Sequence, residues 1–309
     1  MSKPSSRTAL FSPSRTLILA GSTFTQLMRM KVFYFLLIFV LIAIGVNFIE
    51  LPHTVGPEST GSDKLFSLKD PMIGAMRYFA IIIAIVATAL VIPKDQEDRT
   101  LYTILAKPVP RLDYLLGKLL GILALIFAGL LVMAILFNVV LHFHTETLLE
   151  NRLGMAEQMG WSAEAIESER QDILRQGPSW SLQRGILTIF LMSAIIASVA
   201  LLISTFSSST LFTIICSTLV FFVGQFMADG RDYYVAKAAA TGDGGNLTSY
   251  ASKFLSLTFP DFRPFNIVDA AVAGKMYPPG VFFGLLGITA MYMGIYTVLS
   301  WFVFSDKEI

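Results

Sequence analysis

Charge is what this sequence has least of. Only 15% of its 309 residues are Asp, Glu, Lys or Arg, while 54% are hydrophobic, where a soluble domain carries about a quarter charged residues. That balance points to a membrane protein. The net charge of +1 leaves no basic footprint, so nucleic acid is not an expected partner. A lone cysteine, Cys216, excludes an intramolecular disulfide. The three histidines, His53, His142 and His144, are too few and scattered for a metal site.

Catalytic and nucleotide signatures are also missing. A phosphate-binding Gly-x-x-x-x-Gly-Lys loop would need glycine where Leu112 precedes Gly117-Lys118 and where Asp269 precedes Gly274-Lys275. The run Gly242-Asp243-Gly244-Gly245 fails the dinucleotide spacing because Leu247 takes the last glycine's place. No His-Glu-x-x-His, Gly-x-Ser-x-Gly or paired intramembrane aspartates occur. We therefore expect no catalytic residues, cofactor or metal on this chain. Its membrane stretches are also nearly free of ionisable groups, which argues against an ion-driven carrier with a buried proton relay.

Six apolar stretches of bilayer-spanning length are present, at about 32–49, 72–92, 115–141, 185–204, 210–228 and 280–304. The fourth and fifth are divided only by Ser204-Thr-Phe-Ser-Ser-Ser-Thr210. A single helix through both would overshoot the bilayer about twofold, so a tight hairpin is predicted. Lys3, Arg7, Arg15, Arg29 and Lys31 precede the first stretch, and no acidic residue comes before Glu50. This bias places the N-terminus in the cytoplasm, and six crossings return the C-terminus to the same side. The expectation is an all-α membrane protein with six transmembrane helices. Residues 1–15 read as a mobile tail, and 16–309 as one six-span domain.

Between Thr16 and Met30, Leu17, Phe24, Leu27 and Met28 recur near helical spacing, with Ala20 and Gly21 on the same stripe. That predicts an amphipathic interfacial helix before the first span. The outer loop 142–184 reads as one or two short helices stopped at Gly177-Pro178. In loop 229–279, Phe254, Phe259, Phe262 and Phe265 suggest segments dipping into the interface, with Asn266 capping a short helix. Arg77 is read as snorkelling, and Asn138 and Gln225 as hydrogen-bonding between helices. Gly117/Gly121 is a small-residue pair suited to close packing.

The most informative segment is the charged loop 93–114 between the second and third stretches. Pro93 ends the second span, and a charged cluster runs from Lys94 to Arg99. Leu101, Ile104 and Leu105 then share one helical face, and Pro108 and Pro110 stop that helix before a restart at Arg111. On the residues alone, a helix lying passively in headgroups and a docking lever for a cytoplasmic partner fit equally.

Here the chain resembles a known family. The loop carries Asp95 and Glu97, then Thr100-Leu101, Leu105, Pro108-Val109-Pro110-Arg111 and Leu116-Gly117-Lys118. This order is similar to that of permeases of the type-2 ABC (ATP-binding cassette) transporter family. Arg99 stands where glycine often precedes the threonine, and Pro110 where serine or threonine is usual. Ser22 to Tyr34 also resembles the family's entry into the first span. The resemblance implies a transport subunit of the bacterial inner membrane that is not itself an enzyme. ATP would be bound by a separate cytoplasmic ATPase, and a second permease chain would complete the path. Loop helix 97–106 would be the coupling helix. Glu97 and Asp98 would pair with basic groups on the ATPase, with Asp95 in the same acidic cluster, and Thr100, Leu101 and Leu105 would form the contact. Pro108 would stiffen the elbow, and Arg111 and Lys118 would anchor it to phosphates or carboxylates. The alternative is an intramembrane enzyme or envelope assembly factor acting through the outer loops.

Overall fold

A computed structural model describes residues 12–46, 61–97, 110–207, 209–241, 259–272 and 278–306, and these are helical almost throughout. The helices are α1 (Pro13–Met28), α2 (Lys31–Val46), α3 (Gly61–Glu97), α4 (Arg111–Gln158), α5 (Ala163–Gln176), α6 (Trp180–Phe206), α7 (Thr210–Thr241), α8 (Ile267–Val272) and α9 (Pro279–Asp306), with a 3-10 turn at Arg263–Asn266. Within the described residues, each of the six apolar stretches falls on one helix: α2, α3, α4, α6, α7 and α9 in chain order. Four helical stretches are long and apolar enough to cross a bilayer, namely Asp63–Pro93, Arg111–Gln158, Ala163–Phe206 and Pro279–Asp306, with Thr210–Phe226 as a shorter apolar helix.

The centre of the bundle is α6, packed against α3, α4, α7, α8 and α9. Its middle, from Met192 to Leu201, is buried without interruption. Small side chains make this possible: Ser193, Ala194, Ala197, Ser198 and Ala200 let neighbouring backbones approach. Their hydroxyls need no distant partner. Ser193 donates to the Phe190 carbonyl and Ser198 to that of Ile195, as Thr88, Thr145 and Thr289 do one helical turn back on their own helices. In hydrocarbon, where no water is available, such local bonds let a polar residue be buried cheaply.

Several sequence-based boundaries move. The helix predicted from Thr16 starts at Pro13, at a position where a missing N–H costs nothing. Its buried face is also different: Thr16, Ala20, Thr23 and Leu27 face inward, while Leu17 and Ile18 are exposed. The second span does not end at Pro93, since α3 continues to Glu97 and holds both Pro71 and Pro93. In a bundle, neighbouring groups compensate for the single backbone bond that proline removes. The third span and the start of loop 142–184 are one helix of 48 residues, about 72 Å long at 1.5 Å per residue. It closes at Gly160, whose φ of 70° suits glycine alone among ordinary residues. After it, Ser162 caps α5, which ends at Gly177 as predicted. Helix α7 likewise runs beyond its predicted span to Thr241.

The aromatic segment before α8 packs into the bundle. Phe262 and Phe265 are fully buried, and Phe262 lies 5.9 Å from Phe221 of α7, ring to ring. A Cβ at Gly224 would come within 2.5 Å of the Pro260 carbonyl, so only glycine permits that crossing. The expectation for Phe254 lies outside the described residues. Asn138 and Gln183 bond reciprocally between α4 and α6, as expected for Asn138.

The tightest helix crossing is α1 on α4. A Cβ at Gly117 would meet the Leu19 Cβ at 2.5 Å, and one at Gly121 would meet the Ala20 carbonyl at 2.7 Å. Glycine in a helix normally costs up to about 1 kcal/mol against alanine, so its retention at both positions reflects contact. Gly121→Val is expected to destabilise the protein by about 1–3 kcal/mol through overpacking. By contrast, Gly287→Ala, where an added Cβ meets nothing within 4 Å, should stabilise it slightly. Thermal unfolding of the two variants in detergent checks the opposite signs.

Candidate functional site

The residues flanking segment 98–109 form a polar cluster built on the first turns of α4. Two stripes of that helix are involved. Arg111, Tyr114 and Lys118, spaced three and four residues apart, share one face. Asp113, Gly117 and Gly121, spaced by four, share the next face around. The first stripe reaches the ends of α3 and α9, and the second holds α1.

On the first stripe, Lys118 Nζ lies 2.7 Å from Asp95 Oδ2, and the Tyr114 hydroxyl donates to the same oxygen at 2.8 Å. Asp95 is 6% exposed and Lys118 4%. Burying two charges is tolerable only when each is paired and otherwise hydrogen-bonded, and the Tyr114 hydroxyl contributes one of those bonds. The Lys118 ammonium also stands 5.5 Å from the centre of the Tyr114 ring. Tyr114 stacks on Phe304 of α9, with centroids 5.9 Å apart and planes at 13°. Arg111 donates to the carbonyls of Phe304 and Ser305, each at 2.6 Å. Those carbonyls belong to the last turn of α9, where a cation is favoured by the helix dipole and by acceptors without intrahelical partners.

On the second stripe, the fully buried Asp113 accepts the Ser12 N–H at 3.2 Å and pairs with Arg15 at 3.0 Å. Its carboxylate thus sits in the first turn of α4 and against the first turn of α1, a favourable place for an anion on both counts. Below it, Gly117 and Gly121 bring the α1 backbone into contact. The N-terminal helix is therefore fixed to α4 by a charge at its start and by glycine-mediated packing along its length.

The sequence-predicted residues are placed as follows. Asp95 is turned inward onto Lys118, so it offers no free carboxylate to a partner. Lys118 holds that carboxylate, and Arg111 binds backbone carbonyls of α9. Glu97 is the last residue of α3. Asp98, Thr100, Leu101, Leu105 and Pro108 lie outside the described residues. Sequence reading passed over Tyr114, Asp113 and the Ser12–Arg15 entry to α1. The three-and-four spacing of Arg111, Tyr114 and Lys118 carried a signal for the first. Nothing local marked the other two, whose partner lies 101 positions away in the chain.

A bundle of long apolar helices with a buried ionic cluster at one end defines a multi-pass membrane protein. The family model described as ABC-2 family transporter protein matches residues 17–309. The chain belongs to that family, and it is a transport subunit and a multi-pass integral membrane protein. Comparison with individually curated proteins finds no match.

Replacing one member of the buried pair should be costly. Lys118→Met strands the Asp95 charge and is expected to destabilise by about 3–5 kcal/mol. Adding Asp95→Asn should restore most of that loss, because both charges are then gone. A double-mutant cycle on denaturant unfolding measures the coupling.

Proposed function

We propose that this chain is the permease subunit of an ATP-driven exporter, driven by a separate cytoplasmic ATPase that docks on segment 98–109. In this reading the six apolar helices all cross the bilayer. The N-terminus, the C-terminus and segment 98–109 share the cytoplasmic face, and a second permease chain completes the substrate path. The Lys/Arg-rich start supports that orientation.

The observation that carries the reading is the cluster on α4. Segment 98–109 leaves the end of α3 and enters the start of α4, and both attachment points are tied into the bundle. Asp95 lies two residues before α3 ends, and Arg111 is the first residue of α4. Through Asp95, Tyr114, Arg111 and Asp113, a push on the segment is passed at once to α3, α4, α9 and α1. A passive loop in lipid headgroups has no use for four helices anchored around its ends. A lever driven by a partner protein needs them, since a loose root would absorb the motion. On this reading Glu97 and Asp98 meet basic groups of the ATPase, and Leu101 and Leu105 supply its apolar contact.

Glu97→Arg tests the docking. The variant should insert and fold normally, while recovery of the ATPase with the affinity-purified permease falls about tenfold, a change of ~1.4 kcal/mol. Normal recovery of the ATPase with the variant would refute the assignment. Orientation is checked separately: with Cys216 replaced by serine, a cysteine at the exposed Trp161 should react with an impermeant maleimide from outside intact cells.

A further inference from the structure

Away from the α4 cluster, a groove of about 840 Å³ lies between α3, α7 and α8. Its walls are mostly apolar, with Ile81, Ile82 and Ile85 from α3 facing Ile214 and Phe221 from α7. Ile82 and Phe222 are well exposed, so the groove opens sideways along the length of the helices. Polar groups gather toward one end. Half-buried Arg77 lines it, and among the described residues its guanidinium makes one side-chain hydrogen bond, at 3.0 Å, to Asn266. The other N–H donors of the guanidinium have no partner among the described residues. Gln225 also lines the groove, and its Oε1 is buried with no hydrogen-bond partner among the described residues. Two turns beyond Arg77 on the same face of α3, Asp70 adds a carboxylate at the rim.

We propose that this groove binds a phospholipid with a primary-amine headgroup, its phosphate on Arg77 and its ammonium directed to Asp70. The order of groups along α3 matches the order of groups along such a lipid. Asp70 comes first, then Arg77, then the apolar run to Val86. From Arg77 to Val86 is nine residues, a rise of about 13.5 Å at 1.5 Å per residue, close to the roughly 15 Å depth of one leaflet's hydrocarbon. A half-buried arginine with no ion pair among the described residues, set in a mostly apolar lining, calls for an anion, and phosphate suits its forked donors. The unsatisfied Gln225 oxygen and the Asp70 carboxylate both call for donors, which an ammonium supplies and a quaternary amine does not. The lateral opening suits a ligand arriving from the bilayer. Binding is a property of the chain alone and does not rest on the ATPase-coupling reading.

The test measures lipid retained by the purified full-length chain in detergent, using phosphatidylethanolamine and phosphatidylcholine as probes and native mass spectrometry as readout. The expected result is a preference for phosphatidylethanolamine of about fivefold or more, lost in Asp70→Asn. Arg77→Gln should lower retention of both lipids about tenfold, with Arg77→Lys recovering part of it. A second variant avoids any dependence on the folding of Arg77→Gln. A Cβ at Gly74, which lines the groove, meets nothing within 4 Å, so Gly74→Phe starts from open space, sets a ring at the groove wall and should exclude both lipids. Equal retention of the two lipids, or undiminished retention in Gly74→Phe, overturns the proposal. So does efficient disulfide formation between two copies carrying Ile82→Cys, because a second chain would then occupy the groove.

Discussion

The buried pair of Asp95 and Lys118 is the interaction on which the rest of this architecture depends. Two opposite charges are held 2.7 Å apart at the edge of an apolar bundle, where neither could remain without the other. Their pairing draws the end of α3 onto the start of α4, and Tyr114 extends the contact to α9 through its ring. Because the desolvation cost of separating them is large, the two helix ends move together. A connection made only of aliphatic contacts would slide, since lipid is as good a solvent for leucine as another helix is.

The middle of the bundle works by a different rule. Without a hydrophobic driving force between helices in lipid, close approach and satisfied polar groups must do the joining. Small residues on α6 and glycines on α4 and α7 allow the approach, and hydroxyls bond back to their own helices. Among the described residues, side-chain hydrogen bonds across the bundle include Asn138 with Gln183, Arg77 with Asn266 and Lys69 with Gln176. The α4 cluster holds its buried charges in pairs, and the groove beside α3 adds Arg77 and Asp70 to a mostly apolar lining.

In the proposed reading these two zones divide the work of a transport subunit. Force from a partner would enter at the ends of α3 and α4, and the long helices would carry it onward. The N-terminal helix, packed on α4, would move with them. Docked by Asp113 and by the Gly117/Gly121 crossing, it presents Leu17 and Ile18 outward, while Thr16, Ala20 and Thr23 serve packing. A hydrophobic stripe on a sequence wheel cannot separate those two uses.

Much of the fold was legible in the sequence because the bilayer imposes length and polarity on each segment locally. The six apolar stretches, the interruption around Ser207, the stop at Gly177 and the family resemblance of loop 93–114 all follow from short-range patterns. Helix ends were less legible: Pro93 and residue 142 look like boundaries, yet α3 and α4 run through them because neighbouring helices support the extra turns. What only the tertiary structure decided is which polar groups meet. Whether Asp95 faces a partner or Lys118, whether Arg111 holds a phosphate or the end of α9, and which face of α1 is buried all depend on helices far apart in the chain. Local sequence sets how far each helix can run and what it can bury. The choice of partner belongs to the packing, because a buried charge takes whichever opposite charge or dipole the fold brings within reach.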